Sequence, residues 1–216
     1  MTRPLIIVGA GGHASVVADA VLAAGESVLG FTDLNSACHG TTVCGCPVLG
    51  DDTILDDYDP GSVLLANGIG TTGSGRDRLR REIHARLVAA GLEFVTVRHP
   101  ASVVSRFASI SPGAQLFASS VIQAGATIGQ GAIVNSAAVV EHDARIGDWT
   151  HIAPGAVVCG GVRVGHRCFV GAGAVVRHGL SLGDDTVVGA GAVVLQDFPA
   201  GGTLIGVPAR QISSRI

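Results

Sequence analysis

The residues best suited to chemistry are a histidine and an acid that stand side by side, His142 and Asp143. An imidazole can remove a proton from an attacking group, and an adjacent carboxylate can hold the ring and stabilise the imidazolium that forms. A second histidine, His151, follows in the same region. The pair therefore suggests a general base. The alternative is that His142 is a solvated surface residue, as His166 and His178 would then also be.

A second candidate site is a glycine-rich turn near the start of the chain. A buried-strand run at 5–8 leads into Gly9-Ala10-Gly11-Gly12-His13-Ala14, and a helical pattern, a second strand at 27–31 and Asp33 follow. A turn of this kind presents backbone N–H groups at a helix N-terminus, which suits a phosphate, and the later acid is typical of dinucleotide-binding folds. The alternative is a tight turn that binds no ligand.

The His142–Asp143 pair lies within a long six-residue repeat. Every sixth residue from Val104 to Val194 is aliphatic, which fits neither the period of a helix nor that of a flat strand. Three hexads predict one coil of about 18 residues with three short strands and three corners, so the run predicts about five stacked coils. Glycine is common three positions after the aliphatic residue, where φ can be positive. His142 and Asp143 thus occupy a corner where glycine would be least strained.

The first hundred residues predict a different, α/β fold. Strand runs alternate with two helical patterns, the strands at 5–8, 27–31, 63–66 and 94–97. This predicts a small parallel βαβ sheet, one half of a dinucleotide fold, and favours a mononucleotide or a nucleotide sugar over NAD. We therefore predict a nucleotide-sugar-binding domain at 1–100 and an all-β column at 101–216. The irregular tail at 206–210 would cap one end of the column.

Composition limits the classes of function. The 216 residues carry a net charge of −3 and no basic run, so we expect no nucleic-acid partner. No apolar stretch reaches 18 residues, and the N-terminus has the pattern of a strand rather than a signal peptide, so we expect a cytoplasmic protein with no membrane partner. The five cysteines are scattered and expected to be reduced thiols. Cys44 and Cys46, with Cys38 and His39 nearby, match a zinc site poorly.

Five motifs taken together resemble one known family across essentially the whole chain: GAGGHA at 9–14, HPASVVS at 99–105, NSAAVVEHD at 135–143, HIAPGA at 151–156 and GVPA at 206–209. The family is the nucleotide-sugar and sialic acid acetyltransferases of the PglD/NeuD type, which are hexapeptide-repeat acyltransferases. The resemblance implies a left-handed parallel β-helix, although the usual crossover preference predicts the opposite hand. It also implies acetyl-CoA as the co-substrate, without a metal.

The resemblance further implies a role for individual residues. His142 would be the general base, and Asp143 would raise its basicity. His151 and the turns around Ala172 and Ala190 would contact acetyl-CoA. The nucleotide sugar would be held by residues of the N-terminal domain, namely Gly11, Gly12, His13, Asp33 and Gly70. Leu34 departs from the pattern, because members that bind a UDP-sugar often carry a second acid there.

The phosphates of CoA need cations, and the chain contains no lysine. The candidates are therefore arginines: Arg163, Arg167, Arg177 and Arg210. We favour Arg210, because Pro208 fixes the course of the tail, together with one arginine of the column.

The expected activity is N-acetylation of a 4-amino-4,6-dideoxy sugar nucleotide in the synthesis of bacterial cell-surface polysaccharide. O-acetylation of a sialic acid is the alternative within the class. A γ-type carbonic anhydrase would need two zinc-binding histidines separated by four residues, which the column lacks. A non-catalytic sugar-nucleotide sensor would need only the N-terminal domain. Because His142 and His151 fall near opposite ends of one side of the column, we expect a homotrimer whose active sites lie between subunits.

Overall fold

A computed structural model of the chain describes residues 3–71, 76–199 and 201–212. The described residues up to Pro100 form one compact unit, and those from Ala101 onward form another.

The first unit is a five-stranded sheet with helices. The strands lie in the order β3-β4-β2-β1-β5, and all neighbours are parallel except β3 and β4. Their bounds are β1 Leu5–Val8, β2 Val28–Thr32, β3 Thr42–Val43, β4 Cys46–Gly50 and β5 Leu64–Asn67. The helices are α1 Gly12–Ala23 and α2 Arg76–Ala89, with 3-10 helices at Ser36–Cys38 and Asp52–Asp57. The predicted parallel βαβ sheet is confirmed.

The predicted strand at 94–97 is wrong in its extent. The Leu65 N–H donates to Glu93 O, and Leu65 O accepts from the Val95 N–H, which makes a single bridge between Leu65 and Phe94. The chain then leaves this edge and forms the short strand β6, Val97–Arg98. Phe94 still serves the core, because it packs with Leu65 and Leu87 against the inner face of α2.

The second unit is a column with three faces, each built from two-residue strands. The first face holds β7 Val103–Val104, β10 Val121–Ile122, β13 Val139–Val140, β16 Val157–Val158, β19 Val175–Val176 and β22 Val193–Val194. The second holds β8 Ser109–Ile110, β11 Thr127–Ile128, β14 Arg145–Ile146, β17 Arg163–Val164 and β20 Ser181–Leu182. The third holds β9 Gln115–Leu116, β12 Ile133–Val134, β15 His151–Ile152, β18 Phe169–Val170 and β21 Thr186–Val188.

Every coil of the column advances by 18 residues. Val121 pairs in parallel with Val139, and Val139 pairs with Val157 in the next coil. The aliphatic residue of each hexad points inward, so that Val140 and Val158 are completely buried beside small residues such as Ala144. The predicted repeat is thereby confirmed, with the strand ending at the aliphatic residue.

The corners take a left-handed backbone at one fixed position, three residues after the inward aliphatic residue. Glycine fills this position at eight corners: Gly113, Gly125, Gly131, Gly155, Gly161, Gly173, Gly179 and Gly191. Six other corners have the same positive φ without glycine: Ser119, Ala137, Asp143, Trp149, Arg167 and Asp185. The stacking of the coils therefore dictates the turn, and a non-glycine residue there adopts a conformation that is less favourable for it.

The tail after the last hexad is more ordered than the sequence predicts. β23, Gly202–Ile205, pairs in parallel with β21, and β24, Arg210–Ile212, pairs antiparallel with β23. Leu204 and Ala209 are buried and join the core of the column. Because these two apolar side chains extend the core by one layer, the backbone that carries them continues the third face and caps the column.

Candidate active site

His142 and Asp143 lie together in the corner between β13 and β14. The imidazole Nδ1 is 2.9 Å from Asp143 Oδ2, and both side chains are exposed. With Nδ1 donating to the carboxylate, Nε2 carries the lone pair that a general base needs. Asp143 is one of the non-glycine residues with positive φ, at 59°. Mild backbone strain is thus located at the residue that orients the ring.

His151 has a different environment from His142. It begins β15 and is only 6% exposed, with its ring edge against Phe169. Its Nε2 lies 3.0 Å from Asn135 Nδ2, and Asn135 Oδ1 accepts the Ser136 N–H. This pattern orients the Asn135 amide, so that Nε2 of His151 acts as the acceptor. Sequence reasoning recorded Asn135 only as part of a motif and assigned it no role, because its partner lies 16 residues away in the chain.

One chain does not bring His142 and His151 together. The second face, represented here by β14, separates the corner of His142 from β15. A reaction that uses both histidines would therefore need the second one from another subunit.

The residues predicted to contact acetyl-CoA lie toward the C-terminal end of the column. Ala172 and Ala190 are exposed in successive coils of one edge, where Ala172 O accepts the Gly191 N–H. Arg210 begins β24 and pairs with Ile205, whose side chain closely approaches Gly189, the residue before Ala190. The Arg210 guanidinium donates to Ala209 O at 2.9 Å. Arg210 thus lies at the same end of the column as Ala190.

The glycine turn joins β1 to α1, and the acid after β2 holds it. Asp33 Oδ2 accepts the Ala10 N–H at 2.8 Å, and Oδ1 accepts the Asn35 N–H at 2.9 Å. Gly11 is the N-cap of α1, and no side chain among the described residues caps that helix end. The first N–H groups of α1 are therefore oriented for an anion, as in phosphate-binding turns. Asp33 braces this turn, a role that the sequence did not predict.

The loop after β5 completes this end of the sheet. A Cβ on Gly70 would lie 2.9 Å from His13 Cβ, and one on Gly68 would lie 2.7 Å from Ala14 Cβ, so the loop packs tightly on the glycine turn. β1 has β2 on one side and β5 on the other, which makes the carboxyl ends of β1 and β5 a topological switch point. The five residues predicted to bind the nucleotide sugar therefore lie at one end of one sheet. Leu34, beside Asp33, is 71% exposed.

The remaining sequence expectations concern metals, thiols and membranes. In the described part of the chain, no three His, Cys, Asp or Glu side chains are grouped to hold a metal ion. All five cysteines are free thiols, and burial raises the pKa of Cys168 to about 11. None of the helices that the structure describes is long and apolar enough to cross a membrane.

Comparison with known proteins covers both units. A profile of the PglD N-terminal domain matches residues 4–87. Residues 125–160 match the bacterial transferase hexapeptide (six repeats), and residues 161–196 match the hexapeptide repeat of succinyl-transferase. A search of curated proteins finds no match.

Solved structures are similar over nearly the whole length. The acetyltransferase domain of PglB from Neisseria gonorrhoeae, in complex with acetyl coenzyme A, is 36% identical and covers 98% of this chain and 100% of its own, with a TM-score of 0.89. PerB from Caulobacter crescentus, in complex with CoA and GDP-perosamine, is 37% identical over 99% of both chains, with a TM-score of 0.89. WeeI from Acinetobacter baumannii is 26% identical over 98% of this chain and 100% of its own, with a TM-score of 0.86. The chain therefore belongs to the PglD-type sugar acetyltransferases, in which a PglD N-terminal domain precedes a left-handed parallel β-helix of hexapeptide repeats.

Proposed function

We propose that this protein transfers the acetyl group of acetyl-CoA to the amino group of a nucleotide-activated 4-amino-4,6-dideoxy sugar. The observation that carries the proposal is the His142–Asp143 pair on an exposed corner of the column, at 2.9 Å. The similarity to PerB supports it, because that protein is a GDP-perosamine N-acetyltransferase and matches over 99% of both chains. The product would serve the synthesis of bacterial cell-surface polysaccharide.

In the proposed mechanism, His142 Nε2 accepts a proton from the acceptor amine as its nitrogen attacks the thioester carbonyl. The new C–N bond forms, the C–S bond breaks, and the departing thiolate of CoA takes a proton. Asp143 fixes the tautomer through Nδ1 and stabilises the imidazolium between these two transfers. A backbone N–H donor near the thioester would stabilise the oxyanion. No step in this sequence requires a redox change.

The two units would divide the binding of substrates. Residues 1–100 would hold the nucleotide sugar, with its phosphates at Gly11 and Gly12 and further contacts from the residues around them, His13, Asp33 and Gly70. Residues 101–216 would hold acetyl-CoA. The residues proposed for that contact are His151, Ala172, Ala190 and Arg210.

We propose further that the protein works as a homotrimer in the cytoplasm, without a nucleic-acid or membrane partner. Since the second face separates His142 from His151 within one chain, a site that uses both would combine His142 of one subunit with His151 of the next. Closed symmetric assembly is the usual form of a homo-oligomer, and a three-sided column suits a threefold axis.

A free-thiol assay tests the activity. The protein is mixed with acetyl-CoA and one acceptor from a matched panel: GDP- and UDP-linked 4-amino-4,6-dideoxy sugars, their 4-hydroxy counterparts, and a sialic acid. We expect thiol release only with a 4-amino sugar nucleotide, together with a product whose mass has increased by one acetyl group. Release with sialic acid or the 4-hydroxy sugars would show O-acetylation instead. Tight binding of the nucleotide sugars without any release would indicate a sensor.

A further inference from the structure

The inference concerns the edge of the column that joins the first face to the second, which we call the base edge. Its corner residues, coil by coil, are Arg106-Phe107, Ala124-Gly125, His142-Asp143, Gly160-Gly161 and His178-Gly179. The coils next to the His142–Asp143 pair therefore carry little or no side chain at the positions that face it. Substantial side chains return only two coils away.

Gly160 lies directly against the ring of His142. A Cβ built on Gly160 would lie 2.5 Å from His142 Nε2, 2.7 Å from Cε1 and 3.1 Å from Cδ2. These are its three nearest atoms, so what would collide with a side chain at this position is the imidazole of His142. The nitrogen that would accept the proton is the closest of the three.

The ring cannot avoid such a collision and also keep its partner. Nδ1 is held by Asp143 Oδ2, and the other carboxylate oxygen, Oδ1, rests on Gly125 in the preceding coil, where a Cβ would also collide with it. The pair is thus fitted between two bare glycines. A displacement of the ring away from Gly160 would break the Nδ1 contact or push the carboxylate toward Gly125.

We propose that Gly160 is a positioning residue, whose missing side chain lets His142 direct Nε2 outward while Asp143 holds Nδ1. The proposal rests on the proposed role of His142 as general base. A glycine needed only for the fold would have a left-handed φ, but φ of Gly160 lies outside that region. The same column carries Ala124 two coils earlier, so this corner position accepts a methyl group elsewhere.

The backbone around Gly160 would tolerate alanine. Gly160 O accepts the Gly179 N–H at 3.0 Å, and His142 O accepts the Gly161 N–H at 2.9 Å. Neither hydrogen bond involves the position of a Cβ. Gly160→Ala should therefore leave the column folded and move only the ring.

The test is a double-mutant cycle in the assay of thiol release. Misplacing a catalytic group by about 1 Å costs on the order of 10²-fold in rate. We expect Gly160→Ala to lower kcat by about that factor, while KM for acetyl-CoA stays within about twofold, because the variant changes the position of a base and not a binding contact. In the His142→Ala background, adding Gly160→Ala should change the residual rate no further, since no ring is left to displace.

Each other outcome decides the question. Wild-type kcat in Gly160→Ala, beside an impaired His142→Ala, would overturn this inference alone. A further loss in the double variant would show that Gly160 acts on the substrate directly, which also overturns it. Wild-type activity of His142→Ala would remove the proposed base and this inference together. If Gly160→Ala fails to fold, recovery of the fold in the double variant supports the inference, and failure of both variants overturns it.

Discussion

His142 is exposed and its ring bonds to Asp143 alone among the contacts described above, so its removal should affect chemistry rather than folding. We expect His142→Ala to lower kcat by about 10²–10⁴, the usual contribution of general base catalysis. Acetyl-CoA affinity, measured by calorimetry, should change little. The matched control is His178→Ala, which removes another exposed histidine from the same edge of the column. Equal losses in the two variants would argue against a specific role for His142.

Residues that act through a neighbour were harder to predict than the base. His142 beside Asp143 was visible in the sequence because both are polar at a corner that usually carries glycine. Gly160 was not visible, since it occupies a corner where glycine is ordinary, and its relation to His142 depends on the stacking of coils 18 residues apart. His166 was interpreted as a possible solvated residue, yet its Nδ1 accepts the backbone N–H of Asp148.

At the scale of an element, the edge between the second and third faces is tied by a ladder of side chains. Each side chain accepts a backbone N–H from the coil before it: Asp148 from Gln130 at 2.8 Å, His166 from Asp148 at 3.0 Å, and Asp184 from His166 at 2.8 Å. Arg167 also bonds to Asp184 at 3.2 Å. The ladder fastens successive corners without any contribution from the buried core.

We expect Asp184→Ala to reduce the free energy of unfolding by about 1–2 kcal/mol, because the His166 N–H loses its acceptor at a partly exposed site. Asp184→Asn keeps a carbonyl oxygen in the same place and should lose less. Chemical denaturation of the two variants in parallel measures the difference. If Asn is as damaging as Ala, the ion pair to Arg167 matters and the hydrogen bond does not.

The second element-scale prediction concerns α2. His84 is buried on this helix, with its ring 4.2 Å from that of Phe94. Burial, and then the charge of Arg80, lower the pKa of His84 below its ordinary value of about 6.5. The unfolded chain therefore binds this proton first as pH falls, and the contribution of His84 to stability is lost as pH decreases through about 6.5 and below.

Denaturation curves of the wild type and His84→Gln at pH 7.5 and 5.5 test this effect. The wild type should lose more unfolding free energy between the two pH values than the variant does. Equal losses would assign the pH dependence to other groups.

Elements were predicted best where one pattern repeats and worst where it stops. The aliphatic period from Val104 to Val194 fixed every strand of the column, because one inward residue per hexad is enough to define it. The tail has no repeat, so the hairpin of β23 and β24 was missed. The strand at 94–97 was overextended because its apolar residues fill the core while its backbone pairs at a single bridge.

At the scale of the whole molecule, the proposed trimer makes a prediction about mixed assemblies. His142→Ala and His151→Ala chains should each be inactive, since every site would lack one histidine. Refolding them together in equal amounts should restore part of the activity, because some sites then receive a normal His142 from one subunit and a normal His151 from the next. Subunit exchange is verified by mass spectrometry of tagged chains. Proven exchange without regained activity would place each site within one subunit.

The pairing of each residue with the one 18 positions further on has a consequence for how such a chain can change in length. Chain length within the column behaves like a reading frame. Removing 18 residues returns every later side chain to its own edge, so Ala190 would still follow the edge of Ala172. Removing six would turn everything downstream by one face and bring a different row of corners above His142. Insertions and deletions that preserve the catalytic geometry are therefore confined to whole coils, or to segments that loop out from a corner.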